Sequence, residues 1–335
     1  MAMSTRSRRS SRLRPFAAAV AVAALWSALG AILPAQSAQQ LYLTVLDDDG
    51  QPVVDLRAHE VSVAENGVPC EILYLARPRG LADVSILVDT SEAVVPATTH
   101  VRRALRDFVD ALDGYARMSL MTFGDLPVRV VPPTTRLSAM QDAIERLFPS
   151  VGTIPRFQDA LIQTVGDIQN RLPSRPALVI ITSDQVPGAF AVESPNTSAR
   201  PVEQVIGVLQ AIGAPVHIVA LRSAASFDIV GRGVFDRASA FSGTADNNMR
   251  NSIMARETRD WLAALETASQ RTGGRLVNSY ASAGLATPLL EIASEIAGQY
   301  VLTYSRAALP LDTDTLEIQI GIAREDVTVR VTPVI

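Results

Sequence analysis

Between residues 83 and 301 the sequence alternates short runs that are apolar throughout with amphipathic stretches, and few folds accept that alternation. The runs lie at 84–88, 118–123, 177–182 and 216–221, with a weaker one at 275–278. A strand with apolar side chains on both faces has to be covered on both faces, and helices in the connections supply the cover. The intervening stretches carry the helical spacing this needs. Val101, Leu105, Phe108 and Leu112 make one face, and Leu137, Met140, Ile144 and Leu147 a second. Phe157, Leu161, Val165 and Ile168 follow, then Val202, Val205, Leu209 and Ile212. Trp261, Leu265 and Ala268 mark a fifth helix, and Leu289, Ile292 and Ile296 a sixth. The expected fold class is α/β, doubly wound, with a mainly parallel sheet. Residues 128–131 follow Phe123 too closely for a crossover helix, so they are expected as one antiparallel edge strand.

The flanks have a different rhythm. Residues 41–46 and 61–64 are strand-like, Glu65-Asn66-Gly67 supplies a hairpin turn, and 70–75 reads as the return strand. After Gln299 strands are expected at 300–305, 316–322 and 327–331, the last two joined through 323–326 as a hairpin. The two flanks are expected to form a small β-rich module; which strands pair in it is left open. Residues 222–256 form a Ser/Ala/Asn/Gly-rich insertion with little periodicity, expected as a loop carrying at most a short helix. The division is therefore an N-terminal segment at 1–38, a β module at 39–79, an α/β domain at 80–298 and C-terminal strands at 299–335.

The N-terminal segment has the three parts of a secretory signal: an Arg-rich head, an uncharged apolar centre at 16–33, and a small-residue exit at 34–38. The expected cut follows Ser37 or Ala38, with Ala35 as an alternative. Retained instead as an anchor, the 18 apolar residues would span roughly 27 Å, slightly short of the ~30 Å hydrocarbon layer. The expected location is periplasmic or secreted, with membrane contact only if the segment stays attached. All 30 basic side chains are Arg. Five stand in the first 38 residues, which leaves 25 basic against 34 acidic groups in the body of the chain. An acidic body argues against phosphate-backbone binding, so no nucleic-acid partner is expected. Cys70 is the sole cysteine, which excludes an internal disulfide, and with only His59, His100 and His217 no zinc pattern can be assembled.

Ligands of an open α/β sheet bind beyond the carboxyl ends of its strands, where strand order reverses. Three segments bring oxygen-bearing side chains there: Asp89-Thr90-Ser91 after the first strand, Gly152-Thr153 before a helix, and Thr182-Ser183-Asp184 after a later strand. Asp89, Ser91, Thr153 and Asp184 are thus expected at one rim, as hard oxygen donors of the kind that suit Mg²⁺. No nucleotide cradle or nucleophile elbow is present. Two carboxylates roughly 6 Å apart at an effective dielectric of ~20 repel by ~3 kcal/mol. A cation between them, a shared proton or other donors must hold them.

Residues 83–301 resemble a von Willebrand factor type A domain, whose metal-ion-dependent adhesion site uses a DxSxS motif, a distant Thr and a distant Asp. The flanks are similar to those of bacterial exported VWFA-related proteins, through Leu43-Thr44-Val45, Val61-Ser62-Val63-Ala64-Glu65-Asn66-Gly67 and Gln299-Tyr300-Val301-Leu302-Thr303-Tyr304. The resemblance implies that Asp89, Ser91, Thr153 and Asp184 are metal ligands, with Mg²⁺ as the ion. It also implies an incomplete site, because Ala93 stands at the third motif position and Gln185 replaces a Gly often found after the distant Asp. Losing one inner hydroxyl is expected to weaken metal binding tenfold or more. Glu92 is expected to face solvent. The implied function is a non-catalytic adhesion module that grips a protein or peptide, whose acidic side chain would complete the metal shell. The alternative is an envelope scaffold with no metal dependence. An enzyme is not expected, since no general base accompanies the carboxylates; His100, the nearest by sequence, reads as a helix-surface residue.

Overall fold

A computed structural model describes residues 38–153, 155–184, 213–222, 245–306 and 317–333. Four strands open the described chain: β1 (Ala38–Leu46), β2 (Val61–Glu65), β3 (Val68–Cys70) and β4 (Ile72–Ala76). The α/β part follows as β5 (Ala82–Asp89), α1 (Thr98–Ala111), β6 (Ala116–Phe123), β7 (Pro127–Thr134), α2 (Leu137–Glu145), α3 (Phe157–Arg171), β8 (Pro176–Ser183) and β9 (Val216–Leu221). It continues with α4 (Ala245–Arg271), β10 (Leu276–Ser279) and α5 (Ala286–Gly298), and β11 (Tyr300–Ser305), β12 (Ile318–Ile322) and β13 (Thr328–Pro333) close it.

The central sheet has the order β10-β9-β8-β5-β6-β7 and is parallel except at β7, which pairs antiparallel with β6 as the expected edge strand. Its middle strands are apolar throughout because neither face meets water. Val84, Ile86 and Val88 of β5 pack with Val101, Leu105 and Phe108 of α1, Met140 and Ile144 of α2, and Leu289 and Ile292 of α5. Leu87 points to the other layer, with Phe157, Leu161 and Val165 of α3 and Trp261, Leu265 and Ala268 of α4. There Phe123, Phe157 and Trp261 meet edge to face, with centroids 5.6 and 5.3 Å apart. The expected helix at 202–212 and the signal up to Ser37 lie outside the described residues.

Both flanks build the β module together. One sheet has the order β13-β1-β11-β4 and the other β12-β2-β3, and Leu41, Leu43, Val45, Val61, Val63, Leu302 and Tyr304 form their shared core. Three sequence expectations need correction. Residues 70–75 are not one return strand: β3 pairs with β2 across the Asn66-Gly67 turn, whose φ values of 49° and 79° are those of a tight hairpin, and β4 pairs with β11 in the other sheet. The strands at 316–322 and 327–331 are not a hairpin either. β12 joins β2 and β13 joins β1, because each sheet needs an apolar strand to complete the shared core. Finally, helix α4 reaches back to Ala245, so residues 245–256 of the expected loop are helical; its Ala, Met and Arg residues favour helix even without an apolar stripe.

The module is fixed to the α/β part by buried polar contacts. Arg175, almost fully buried, donates to the carbonyls of Gly80 (3.0 Å) and Ile296 and to Gln299 Oε1 (3.2 Å). Glu295 of α5 is buried between Arg275 Nε at 3.0 Å and Arg330 Nε of β13 at 3.5 Å. Gly273 (φ +80°) lets β13 approach so closely that an added Cβ would stand 2.4 Å from the Val331 carbonyl oxygen.

His217 on β9 is buried beside this arginine pair. Burial, reinforced by the charges of Arg275 and Arg330, holds its imidazole down at about 3. The unfolded imidazole titrates near ~6.5. Its contribution to stability is therefore complete above that pH and is lost as pH falls toward 3, by roughly 1.4 kcal/mol per pH unit. Urea denaturation between pH 6.5 and 4 should show this slope in the wild type and a shallower one, by about that amount, in His217→Leu.

Candidate functional site

Strand order reverses between β5 and β8: the chain runs from β5 outward to β6 and β7, then returns to β8 and runs the other way to β9 and β10. A crevice opens at the carboxyl ends of such a pair. Asp89 is the last residue of β5, Ser183 the last of β8, and Asp184 follows it.

Asp89 is fully buried, and its charge is held by three donors. Oδ1 accepts the Ser91 N–H at 2.8 Å, the local turn that Asp side chains form two residues on. Oδ2 accepts the Ser183 N–H at 3.0 Å and the Ser183 hydroxyl at 2.7 Å. One carboxylate thus ties the ends of both strands with charge-assisted bonds. Ser91 is also fully buried, and its Oγ meets no hydrogen-bond partner among the described residues.

The 150–153 loop closes over the same end. Ser150 N–H donates to the Thr90 carbonyl at 3.0 Å, and Glu92 N–H to the Thr153 carbonyl at 3.4 Å. Glu92 is exposed, but its carboxylate does not simply face water: it accepts the Gly152 N–H at 2.8 Å. The Thr153 hydroxyl donates to the Ser150 carbonyl at 2.8 Å, which leaves oxygen lone pairs for another partner. Asp89, Ser91 and Thr153 are thereby linked through two loops, and Asp184 follows Ser183, the residue that Asp89 binds. Ala93 contributes no polar atom.

Asp184 is 1% exposed and faces a residue that sequence reasoning missed. Arg222, one residue beyond β9, places Nε 3.6 Å from Asp184 Oδ2. The only signal for it was positional, since β8 and β9 run parallel with Ser183 opposite Leu221, which makes Asp184 and Arg222 the next pair in register. The repulsion expected between Asp89 and Asp184 is met, among the described residues, by serine donors on one carboxylate and a guanidinium on the other.

The loops at the same strand ends carry exposed apolar side chains, also missed because they are scattered in the sequence. Phe148 and Val151, 70% and 76% exposed, lie on the loop that carries Thr153. Leu126, 61% exposed, sits in the β6–β7 turn, where Gly124 packs on Thr90 and its carbonyl accepts the Arg156 N–H. Tyr280, 62% exposed, follows β10, with its ring centroid 5.9 Å from the Arg222 guanidinium carbon. Arg102 lies over the Phe148 ring at 4.3 Å and donates from Nε to the Leu147 carbonyl, which holds the phenyl group in place.

Residues 84–186 match the family model of the von Willebrand factor type A domain. No curated protein matches the sequence. Among solved structures, the chain is similar to a von Willebrand factor type A protein from Catenulispora acidiphila (11% identity, 89% of this chain and 73% of that one, TM-score 0.43). It is also similar to the vWF domain of the type V pili tip protein Mfa5 from Porphyromonas gingivalis (12% identity, 70% and 99%, TM-score 0.44). A third is an aerotolerance-related membrane protein from Bacteroides fragilis (12% identity, 64% and 98%, TM-score 0.39).

The Asp89 tie is testable through stability. Asp89→Ala strands two buried Ser183 donors and the Ser91 N–H, and should cost at least ~3 kcal/mol in chemical denaturation. Asp89→Asn keeps one acceptor and should fall between the two.

Proposed function

We propose that this chain, which carries a von Willebrand factor type A domain at residues 84–186, is a non-catalytic protein-binding module whose ligand face is the mouth between β5 and β8. One observation carries the reading. The loops hydrogen-bonded or packed to a buried polar floor carry exposed apolar side chains (Leu126, Phe148, Val151, Tyr280). Apolar anchors on loops that meet a small polar centre suit a protein or peptide surface, where a few well-held aromatic and aliphatic groups supply most of the binding energy.

A divalent cation belongs to this reading. Asp89, Ser91, Thr153 and Asp184 would hold it, and the buried Ser91 Oγ without a partner among the described residues supports the fit. When bound, Mg²⁺ supplies positive charge for an acidic side chain of the partner. Ala93 leaves one position to water. The non-catalytic reading is supported, among the described residues, by His100 being exposed on α1 and by Asp89 and Asp184 being held by Ser183 and Arg222. Export follows from the 1–38 segment, which points to the periplasm or the exterior. Among the described residues no helix is long and apolar enough to cross a membrane.

A second reading, envelope scaffolding without metal, is favoured by Val68, Leu73 and Tyr74, which are exposed on β3 and β4 at the outer edges of the two module sheets. Capture of partners by the mature chain from envelope extract separates the two. Binding through the mouth should be lost in EDTA and weakened at least tenfold by Phe148→Asp. Capture that survives both changes and is lost in Tyr74→Asp would establish the second reading instead.

A further inference from the structure

The geometry points to Arg222 as a tethered cation that competes with a divalent metal for Asp184, so that the metal site is held closed by the chain itself. This rests on the metal site proposed above and assigns how that site is controlled.

The backbone fixes where Arg222 can act. Its N–H donates to the Ser279 carbonyl at 2.9 Å on one side, and the Asp184 N–H donates to the Leu221 carbonyl at 3.0 Å on the other. The guanidinium therefore starts from a position set by the sheet, beside the buried Asp184. At 3.6 Å the Nε–Oδ2 contact is longer than a hydrogen bond, and Nε has no hydrogen-bond partner among the described residues. The attraction is thus Coulombic, and a positive ion placed on the same carboxylate would substitute for it. A guanidinium does not lose its proton in a protein, so it cannot yield to a metal by neutralising itself. It can yield only by moving. The exposed Tyr280 ring already faces the guanidinium, with its centroid 5.9 Å from the guanidinium carbon, and can keep that contact as the side chain moves off Asp184.

Two independent features meet here: the cation already beside Asp184, and the buried hydroxyl of Ser91 that the described residues leave without a partner. The first supplies the charge that a metal would bring. The second is a ligand position that Arg222 does not serve. A site with one ligand unused and one carboxylate already compensated binds a dication weakly, and it binds better once the internal cation is removed. Removing a like charge from within a few ångströms of a metal in a half-buried site is worth at least about tenfold in affinity.

The test is a titration of the mature chain with Mn²⁺, followed by calorimetry and by the electron paramagnetic resonance signal of the bound ion. Arg222→Gln should bind Mn²⁺ at least tenfold tighter than wild type, and Mg²⁺ should raise its melting temperature by more than it raises that of wild type. Arg222→Lys, which keeps the charge, should stay near wild type. If wild type binds and Arg222→Gln binds no tighter, the competition is overturned while the metal site stands. If neither binds although both are folded by circular dichroism, the metal site falls and the competition with it. Should Arg222→Gln fail to fold, Arg222→Met takes its place, with the same outcomes deciding.

Discussion

The buried Asp89 carboxylate is the contact on which the mouth of this domain depends. It ends β5 and binds both the backbone N–H and the hydroxyl of Ser183 at the end of β8, while its other oxygen fixes the turn through Ser91. A buried charge tolerates few arrangements, because each missing donor costs more than an ordinary hydrogen bond. The strand ends, the Ser91 turn and the loop pinned by Glu92 and Thr90 are therefore not independent. Each occupies the position that keeps this charge satisfied, and together they set the floor on which any partner would sit.

The same constraint recurs away from the mouth. Asp83, at the opposite end of β5 and almost fully buried, is paired with Arg117 at 2.8 Å and with Arg171. Glu295 lies between Arg275 and Arg330 where the β module meets α5 and β10. Buried ion pairs contribute little net stability relative to well-packed apolar groups, but losing one partner is costly, and this makes them effective at fixing which surfaces meet. The β module is thus set against the α/β domain by specific charges. The flanks of the chain and its centre are in direct contact at this junction, with Gly273 allowing β13 to come within backbone contact.

The alternation of 84–88, 118–123, 177–182 and 216–221 with helical faces was enough to give the doubly wound sheet, because side chains on both faces of a buried strand have to be apolar. The antiparallel edge strand was legible from the short distance between Phe123 and Val128. Pairing in the flanks was not. β12 and β13 are each plausible as half of a hairpin, and only the shared core of the two sheets sends one to β2 and the other to β1. The single run 70–75 breaks at Glu71 for the same reason, since its carbonyl serves Ser305 of β11 while Cys70 still pairs with Val63. The helix at Ala245 was hidden because its first turns lack an apolar stripe.

The candidate site divides along similar lines. Asp89, Ser91, Thr153 and Asp184 were named by residue type and by position at strand ends, which are properties of local sequence. Arg222 and the exposed Leu126, Phe148, Val151 and Tyr280 carry no such mark, for they come from separate connections and share nothing until the sheet closes. What the sequence determined by itself was the periodicity, hence the layers of the fold and the strand ends at which oxygens gather. What tertiary structure alone decided was which charge answers which. Coulomb forces and desolvation act across space, and residues 184 and 222 become neighbours only when β8 and β9 lie side by side.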